Sequence, residues 1–205
     1  MSFKDFLVAL SIRRAPGPSP SFSVFDLIRL LRLLAKKGSV GRGKLSEMLN
    51  LGEGTIRTIL ERLTEASLIT ISRRGCSLTE RGREIWSAME GVMPKIIEWE
   101  NTELSIAPRN VAILVRGKAE KIKSGIEQRD AAVSSGAKGT ITMIYKDKRL
   151  IVPGINIDLE RKYPETFERI MHLMEPRDGD VIIISGADTL KSAEYGALAA
   201  AWTII

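Results

Sequence analysis

The sequence predicts an α+β chain in two parts, a winged helix-turn-helix followed by a two-layer α/β sandwich. Three observations carry that expectation. Residues 43–78 read as two amphipathic helical segments separated by a short turn. A β-branched run broken by Arg73-Arg74-Gly75 follows immediately. Beyond residue 107, strand-like and helix-like stretches alternate in the order βαββαβ.

Taken in order, Phe3, Phe6, Leu7 and Leu10 recur at helical spacing, so residues 3–12 form a short amphipathic helix. The stretch Ala15-Pro16-Gly17-Pro18-Ser19-Pro20-Ser21 is a linker by composition. A helix detached in this way packs elsewhere on the molecule or on a partner chain. Ser23 can cap a second helix that runs to Lys36-Lys37 and stops at Gly38. Its core face is Val24, Leu27, Ile28, Leu31 and Leu34.

Gly38 to Leu45 almost spells the phosphate loop G-x-x-x-x-G-K-[ST]. Leu45 replaces the hydroxyl that would hold magnesium, and a helix rather than a buried strand precedes it. The segment is therefore expected to be a short strand or turn leading into the next helix, which carries Leu45, Met48 and Leu49 inward. After Asn50-Leu51-Gly52, a helix from Glu53 to about Glu65 buries Ile56, Ile59, Leu60 and Leu63 at i, i+3, i+4, i+7 spacing. At about 100° per residue this leaves Gly54, Arg57, Thr58, Glu61, Arg62 and Glu65 on the opposite side.

Such a helix suits the major groove of double-stranded DNA. Thr55, Arg57 and Thr58 are then the candidate base contacts, with Glu61 able to accept from cytosine. Gly54 would let the start of the helix lie close to the DNA backbone. Lys44, Arg62, Arg73 and Arg74 are the candidate phosphate contacts, the last two from a hairpin tip that also reaches the minor groove. The competing reading is an ordinary solvated face with Arg57 and Glu61 paired. Cys76 reads as a small packing residue.

Charge is unevenly placed. Residues 22–84 hold 12 Lys or Arg against 7 Asp or Glu, whereas residues 85–205 hold 16 against 17. The positive excess thus sits where phosphates would be met. A single cysteine excludes an internal disulfide or a cysteine-based metal cluster. No apolar run approaches the roughly 20 residues that span a bilayer. Phe6–Leu10 is too short, and Asp5 wrongly charged, for a secretory signal. A cytoplasmic protein without membrane contact, metal or cofactor is expected.

Leu68-Ile69 before the hairpin and Leu78-Thr79-Glu80-Arg81-Gly82 after it resemble the wing and the "L-T-x-x-G" helix start of many bacterial and archaeal winged-helix regulators. With Lys123–Ala132 and Tyr195–Trp202, the whole chain is similar to archaeal transcriptional regulators that join such a domain to a C-terminal domain of unknown function. The resemblance implies a DNA-binding regulator and brings no ligand or chemistry with it.

Four segments follow: helix and linker 1–21, winged helix 22–84, a linker or dimerisation helix 85–106, and an α+β domain 107–205 that binds an effector. Ile85, Met89, Val92, Ile96 and Trp99 form a 4-3-4-3 seam. Gly91 and Pro94 interrupt it, so a bend is expected near Met93. That seam favours a homodimer over packing on the chain's own C-terminal domain. From Ala107-Pro108 onward the expected elements are strands 111–115, 140–145, 149–153 and 181–185, with helices 118–134, 159–174 and 190–204. This is the order of a ferredoxin-like sandwich, or of a related arrangement with another strand order.

Two strand-to-helix junctions could receive a small anionic effector, Arg116-Gly117-Lys118 and Ser185-Gly186 onward to Thr189. Lys123, Glu127 and Arg129 crowd around Gly125, where a mid-helix glycine costs about 1 kcal/mol and suggests close backbone approach. The single histidine, His172, has no catalytic partners in sequence. An enzyme in the C-terminal half, with the winged helix as a regulatory appendage, is the alternative reading, and it lacks a catalytic constellation.

Overall fold

The structure is a computed structural model that describes residues 2–12, 20–100, 102–155 and 157–205. Most of the expected proline-rich linker lies outside the described residues. The chain divides into two compact units, Met1–Met89 and Glu90–Ile205.

In the first unit, α1 (Phe3–Ser11) starts at Ser2, whose Oγ accepts from Asp5 N at 3.1 Å. It buries Leu7 and Leu10. Helix α2 (Val24–Lys37) begins where Ser23 N donates to the Asp26 carboxylate at 2.8 Å. It ends where Gly38, at φ 78°, donates to Leu34 O. Leu27, Ile28, Leu30, Leu31 and Leu34 are all buried on it. The near-phosphate-loop is strand β1 (Ser39–Val40) followed by α3 (Arg42–Leu49). Then come α4 (Glu53–Glu65), β2 (Ile69–Ser72), β3 (Gly75–Leu78) and α5 (Glu80–Val92). The three strands pair antiparallel in the order β1-β3-β2.

The Leu-Thr-x-x-Gly stretch has a physical reason here. Thr79 Oγ1 accepts from Gly82 N at 3.0 Å and donates to Ser67 O at 2.7 Å, capping α5 and tying it to the preceding turn. A Cβ on Gly82 would stand 2.0 Å from Leu68 O, so only glycine lets α5 rest on that carbonyl.

The second unit holds a six-stranded sheet with every pairing antiparallel. It comprises β4 (Lys95–Trp99), β5 (Arg109–Val115), β6 (Gly139–Lys146), β7 (Arg149–Val152), β8 (Ile157–Asp158) and β9 (Asp180–Ala187). The order across it is β4-β5-β9-β6-β7-β8. Among the described residues the α-helices that accompany it are α6 (Ile126–Ser134), α7 (Leu159–Lys162), α8 (Pro164–Met174) and α9 (Leu190–Trp202).

This corrects several expectations. The helical seam ends at Val92, and Ile96 and Trp99 lie on β4, paired with Ile113 and Asn110. Pro94 cannot continue a helix, and the β-branched pair Ile96-Ile97 finds a ladder partner in β5. The expected helix 118–134 is a 3-10 turn at Ala119–Lys121 and then α6, because Gly125 takes a left-handed φ of 80° and starts the helix rather than sitting inside it. Pro164 likewise splits the expected helix 159–174 into α7 and α8.

The sandwich is not ferredoxin-like and not two-layered. In a ferredoxin-like sheet the third strand of βαββαβ fills the gap between the first two. Here the last, β9, stands between β5 and β6, and the hairpin strand β7 lies outside β6. Ala112, Leu114, Met143, Leu150, Ile182 and Ile184 face Leu159, Ile170 and Met174 of α7 and α8. The alternate residues face α6 and α9, where a Cβ on Gly196 would lie 2.4 Å from Ser185 Oγ and 2.5 Å from Ala137 Cβ. With both faces covered, all eight residues of β9 are buried, which is why Val181–Ile184 at its centre reads as a continuous apolar run rather than an alternation.

Candidate nucleic-acid interface

Within the first unit, α3 ends on Asn50 in the left-handed conformation (φ 51°, ψ 54°). Leu51 N returns to Ser46 O at 3.1 Å, and Gly52 flanks the first turn of α4. This three-residue turn sets α4 against α3, and Ile56, Ile59, Leu60 and Leu63 are buried on α4. The opposite face carries Gly54, Arg57, Glu61 and Glu65 exposed, with Thr55 and Thr58 half-buried beside them.

Arg57 Nε lies 3.6 Å from Glu61 Oε1, both side chains being well exposed. Such a pair contributes little to stability, so the guanidinium can be drawn to a phosphate or a base edge at small cost. Thr58 Oγ1 donates to Gly54 O at 3.1 Å, and Thr55 Oγ1 shares a 2.8 Å hydrogen bond with Ser21 Oγ. Lys44 lies on the exposed side of α3 with its ammonium 2.9 Å from Glu47 Oε2.

Arg73 and Arg74 form the tip between β2 and β3, both exposed. Arg74 N donates to Ser72 Oγ at 3.2 Å, and Ser39 Oγ donates to Arg74 O at 2.9 Å, which anchors the tip to β1. Gly75, at φ 120°, passes so close to Val40 that a Cβ would meet its carbonyl at 2.7 Å.

Between α4 and this hairpin runs a groove of about 580 Å³ lined by Arg42, Arg57, Glu61, Ser72 and Arg73 over Leu60, Ile71 and Cys76. It brings together three cations from three elements. Arg42 is not among the sequence candidates. Its only signal is its place as the first residue of α3 beside Gly41, and its role emerges when the hairpin folds back. Cys76 forms part of the floor at 2% exposure, and burial pushes its thiol above the usual range. That matches a packing residue rather than a nucleophile.

Arg62 is a correction. It is 9% exposed, and its Nη1 donates to Leu10 O and Ile12 O, at 2.7 Å each. Its guanidinium stacks 5.1 Å from the Phe22 ring centroid. It holds α1 to the back of α4 and is not presented to a phosphate.

In the second unit both predicted anion junctions are filled by the chain itself. Arg116 pairs with Asp180, whose carboxylate also accepts from Gly117 N at 2.9 Å and Arg177 N at 2.7 Å. Lys118 sits half-buried at the start of the 3-10 turn. At the other junction Thr189 Oγ1 caps α9 by accepting from Ser192 N, and Asp188 pairs with Lys138. Ser185 is fully buried, and Gly186 is pressed against Asn110 and Ile106. Lys123 precedes α6, so it has no helical i,i+4 relation to Glu127, while Arg129 pairs with its neighbour Asp130 at 3.0 Å. The structure therefore does not bring the predicted effector residues into one site. Among the described residues no group of three or more His, Cys, Asp or Glu is placed to hold a metal, and no helix is long and apolar enough to cross a membrane.

Two family models match the chain: the "PH0730-like, N-terminal domain" over residues 24–84 and the "Domain of unknown function (DUF4443)" over residues 106–204. The solved structure of "Hypothetical protein PH0730 from Pyrococcus horikoshii OT3" is 32% identical, with a TM-score of 0.73 over 90% of this chain and 93% of that one. The chain belongs to the PH0730-like family. This PH0730-like chain is also 29% identical over 100 residues to the "Central glycolytic genes regulator" of Bacillus subtilis (strain 168). That match takes in 47% of the PH0730-like chain and 28% of the regulator's own length.

Gly54 gives the interface a direct test. A Cβ there would meet nothing within 4 Å, so Gly54→Ala should stabilise the free protein by about 0.5–1 kcal/mol through helix propensity. If a DNA backbone lies against the start of α4, the same methyl weakens DNA binding. Urea denaturation and a DNA titration of the one variant separate the two effects.

Proposed function

We propose that the protein is a DNA-binding transcriptional regulator. In this reading α3, the turn at Asn50 and α4 form a helix-turn-helix, with α4 entering the major groove and the β2–β3 hairpin acting as its wing. The observation that carries it is the convergence of Arg42, Arg57 and Arg73 on one groove beside an exposed helix face. The match to a protein titled as a regulator of genes supports it. Arg57 and Thr58 are the base-reading residues, and Arg42, Lys44, Arg73 and Arg74 the phosphate contacts. Two chains read paired half-sites, and the second unit serves as a sensor or assembly domain.

Genomic-DNA selection with the purified protein, eluted across a salt series, tests the reading. Enrichment of an inverted repeat with half-sites about one helical turn apart supports a dimeric reader. Arg73→Ala and Arg74→Ala should each reduce the slope of log K against log salt by about 0.9 for every phosphate that the variant leaves unneutralised, whereas Arg57→Ala should weaken the selected site by about 1–3 kcal/mol and relax its sequence preference. Affinity and slope that both survive the triple substitution would sink the mapping. No retention at low salt would remove DNA binding altogether.

A further inference from the structure

The charge of the second unit is segregated along its sheet. Residues 116–124, 146–149 and 177–180 hold eight Lys or Arg against four Asp or Glu, whereas the remainder of the unit holds eight against thirteen. These three segments meet at one end of the sheet, where β5 and β6 finish and β7 and β9 begin. Ala119 N donates to Gly179 O and Gly179 N to Tyr145 O, at 2.9 Å each. Asp147 N donates to Asp178 Oδ1 at 2.7 Å. Gathering like charge in one place costs stability by self-repulsion, and a bound polyanion offsets that cost.

Two of the four acids are engaged by the chain itself. Asp180 is 2% exposed and accepts from Arg116, Gly117 N and Arg177 N, and Asp178 accepts from the hairpin turn. Glu120 comes only within 3.8 Å of Lys146, an exposed pair that contributes little. Lys121, Lys123, Lys146, Lys148, Arg149 and Arg177 all face solvent. Asp147 and Lys148 take φ of 51° and 61°, the two-residue turn that holds Lys148 at the tip of the β6–β7 hairpin. This end spans β5-β9-β6-β7, three strand spacings or about 14 Å. One strand of duplex DNA presents about four phosphates over that length. The three segments carry no aromatic residue on which the bases of a single strand could stack, so a duplex backbone is the better match.

We propose that this end of the sheet is a second phosphate-binding surface, which holds duplex DNA without regard to sequence and adds to the reading by α4. It rests on the proposed function only in that the protein meets DNA; the residues are different ones and belong to the other unit.

The experiment uses the full chain and a random-sequence duplex, with log K measured against log salt. Lys121→Gln, Lys123→Gln and Lys148→Asn are combined, asparagine being chosen because it accepts a left-handed φ. The slope should fall by about 2.7, about 0.9 for each of three phosphates. A matched control, Arg109→Gln, Lys138→Gln and Lys191→Gln, removes the same charge at the opposite end of the sheet and should leave the slope unchanged. Lys148→Asn alone should lower it by about 0.9, and keeps the test open if the combined variant does not fold. Equal slopes for the wild type and the sheet-end variants overturn the proposal. So does an equal fall in the control, which would make the effect one of net charge. Loss of binding to phosphatidylserine vesicles, with DNA binding intact, would overturn it in favour of a membrane surface. In a chain that also carries Arg57→Ala, Arg73→Ala and Arg74→Ala, the sheet-end substitutions should lower the slope by the same amount. If those three changes alter nothing while the sheet-end changes do, the α4 mapping fails and this surface stands; the reverse result sinks this surface and leaves the mapping.

Discussion

Arg62→Ala lowers the unfolding free energy by about 3 kcal/mol, the loss of two charge-assisted hydrogen bonds from a site that water does not refill. The carbonyls of Leu10 and Ile12 lose their donor, and the Phe22 ring loses the cation stacked on it. Arg62→Lys recovers only part of this, because a single ammonium does not reproduce a planar guanidinium held on two carbonyls and a ring. Urea denaturation measures the change, and limited proteolysis should show residues 2–12 cut first. Arg57→Ala, on the same helix but in an exposed pair, should move stability by less than about 0.5 kcal/mol. If Arg62→Ala left stability intact and cut the salt slope of DNA binding instead, Arg62 would be a phosphate contact after all.

A second large effect is expected at Gly82. On propensity alone, Gly82→Ala inside α5 would gain up to about 1 kcal/mol. The packing against Leu68 reverses the sign. A Cβ placed 2.0 Å from Leu68 O can be relieved only by moving backbone, and that carbonyl also accepts from Thr79 N at 3.0 Å. A net loss of about 3 kcal/mol or more is expected, the scale of overpacking in a site that cannot yield. Gly91→Ala on the same helix meets nothing within 4 Å and should be neutral or stabilising. Thermal unfolding of the pair decides the matter. Equal behaviour of the two variants would mean that α5 is free to shift on Leu68.

Much of the first unit is legible in the sequence because its signals are local. The i, i+3, i+4, i+7 spacing of Ile56, Ile59, Leu60 and Leu63, the turn at Asn50-Leu51-Gly52 and the Arg73-Arg74 tip each act within a few residues of themselves. Arg62 escapes such a reading because helical periodicity places it at the margin of the exposed face, and its partners lie 50 and 52 residues earlier, at the carboxyl end of α1 and the residue after it. No spacing rule reports that pairing. Lys95–Trp99 misleads for a similar reason: Ile96 and Trp99 satisfy a heptad, and only the pairing with β5 makes the segment a strand. The junction at Arg116 looks open to an anion because Asp180, which closes it, lies 64 residues away. Element identities in the second unit are largely readable, whereas strand order is not, since hydrophobic pattern marks a strand as buried without naming its neighbours.

The place of β9 bears on how the molecule is made. During synthesis, β5 and β6 emerge long before the strand that stands between them, residues 180–187. Until that strand leaves the ribosome, two apolar ladders wait with unpaired edges, while residues 1–89 already have everything they need to close. The amino-terminal unit should therefore be protease-resistant on stalled nascent chains well before the other half is. Completion of the carboxyl-terminal unit then depends on inserting one strand between two others, a slow non-local step during which the chain depends most on chaperones.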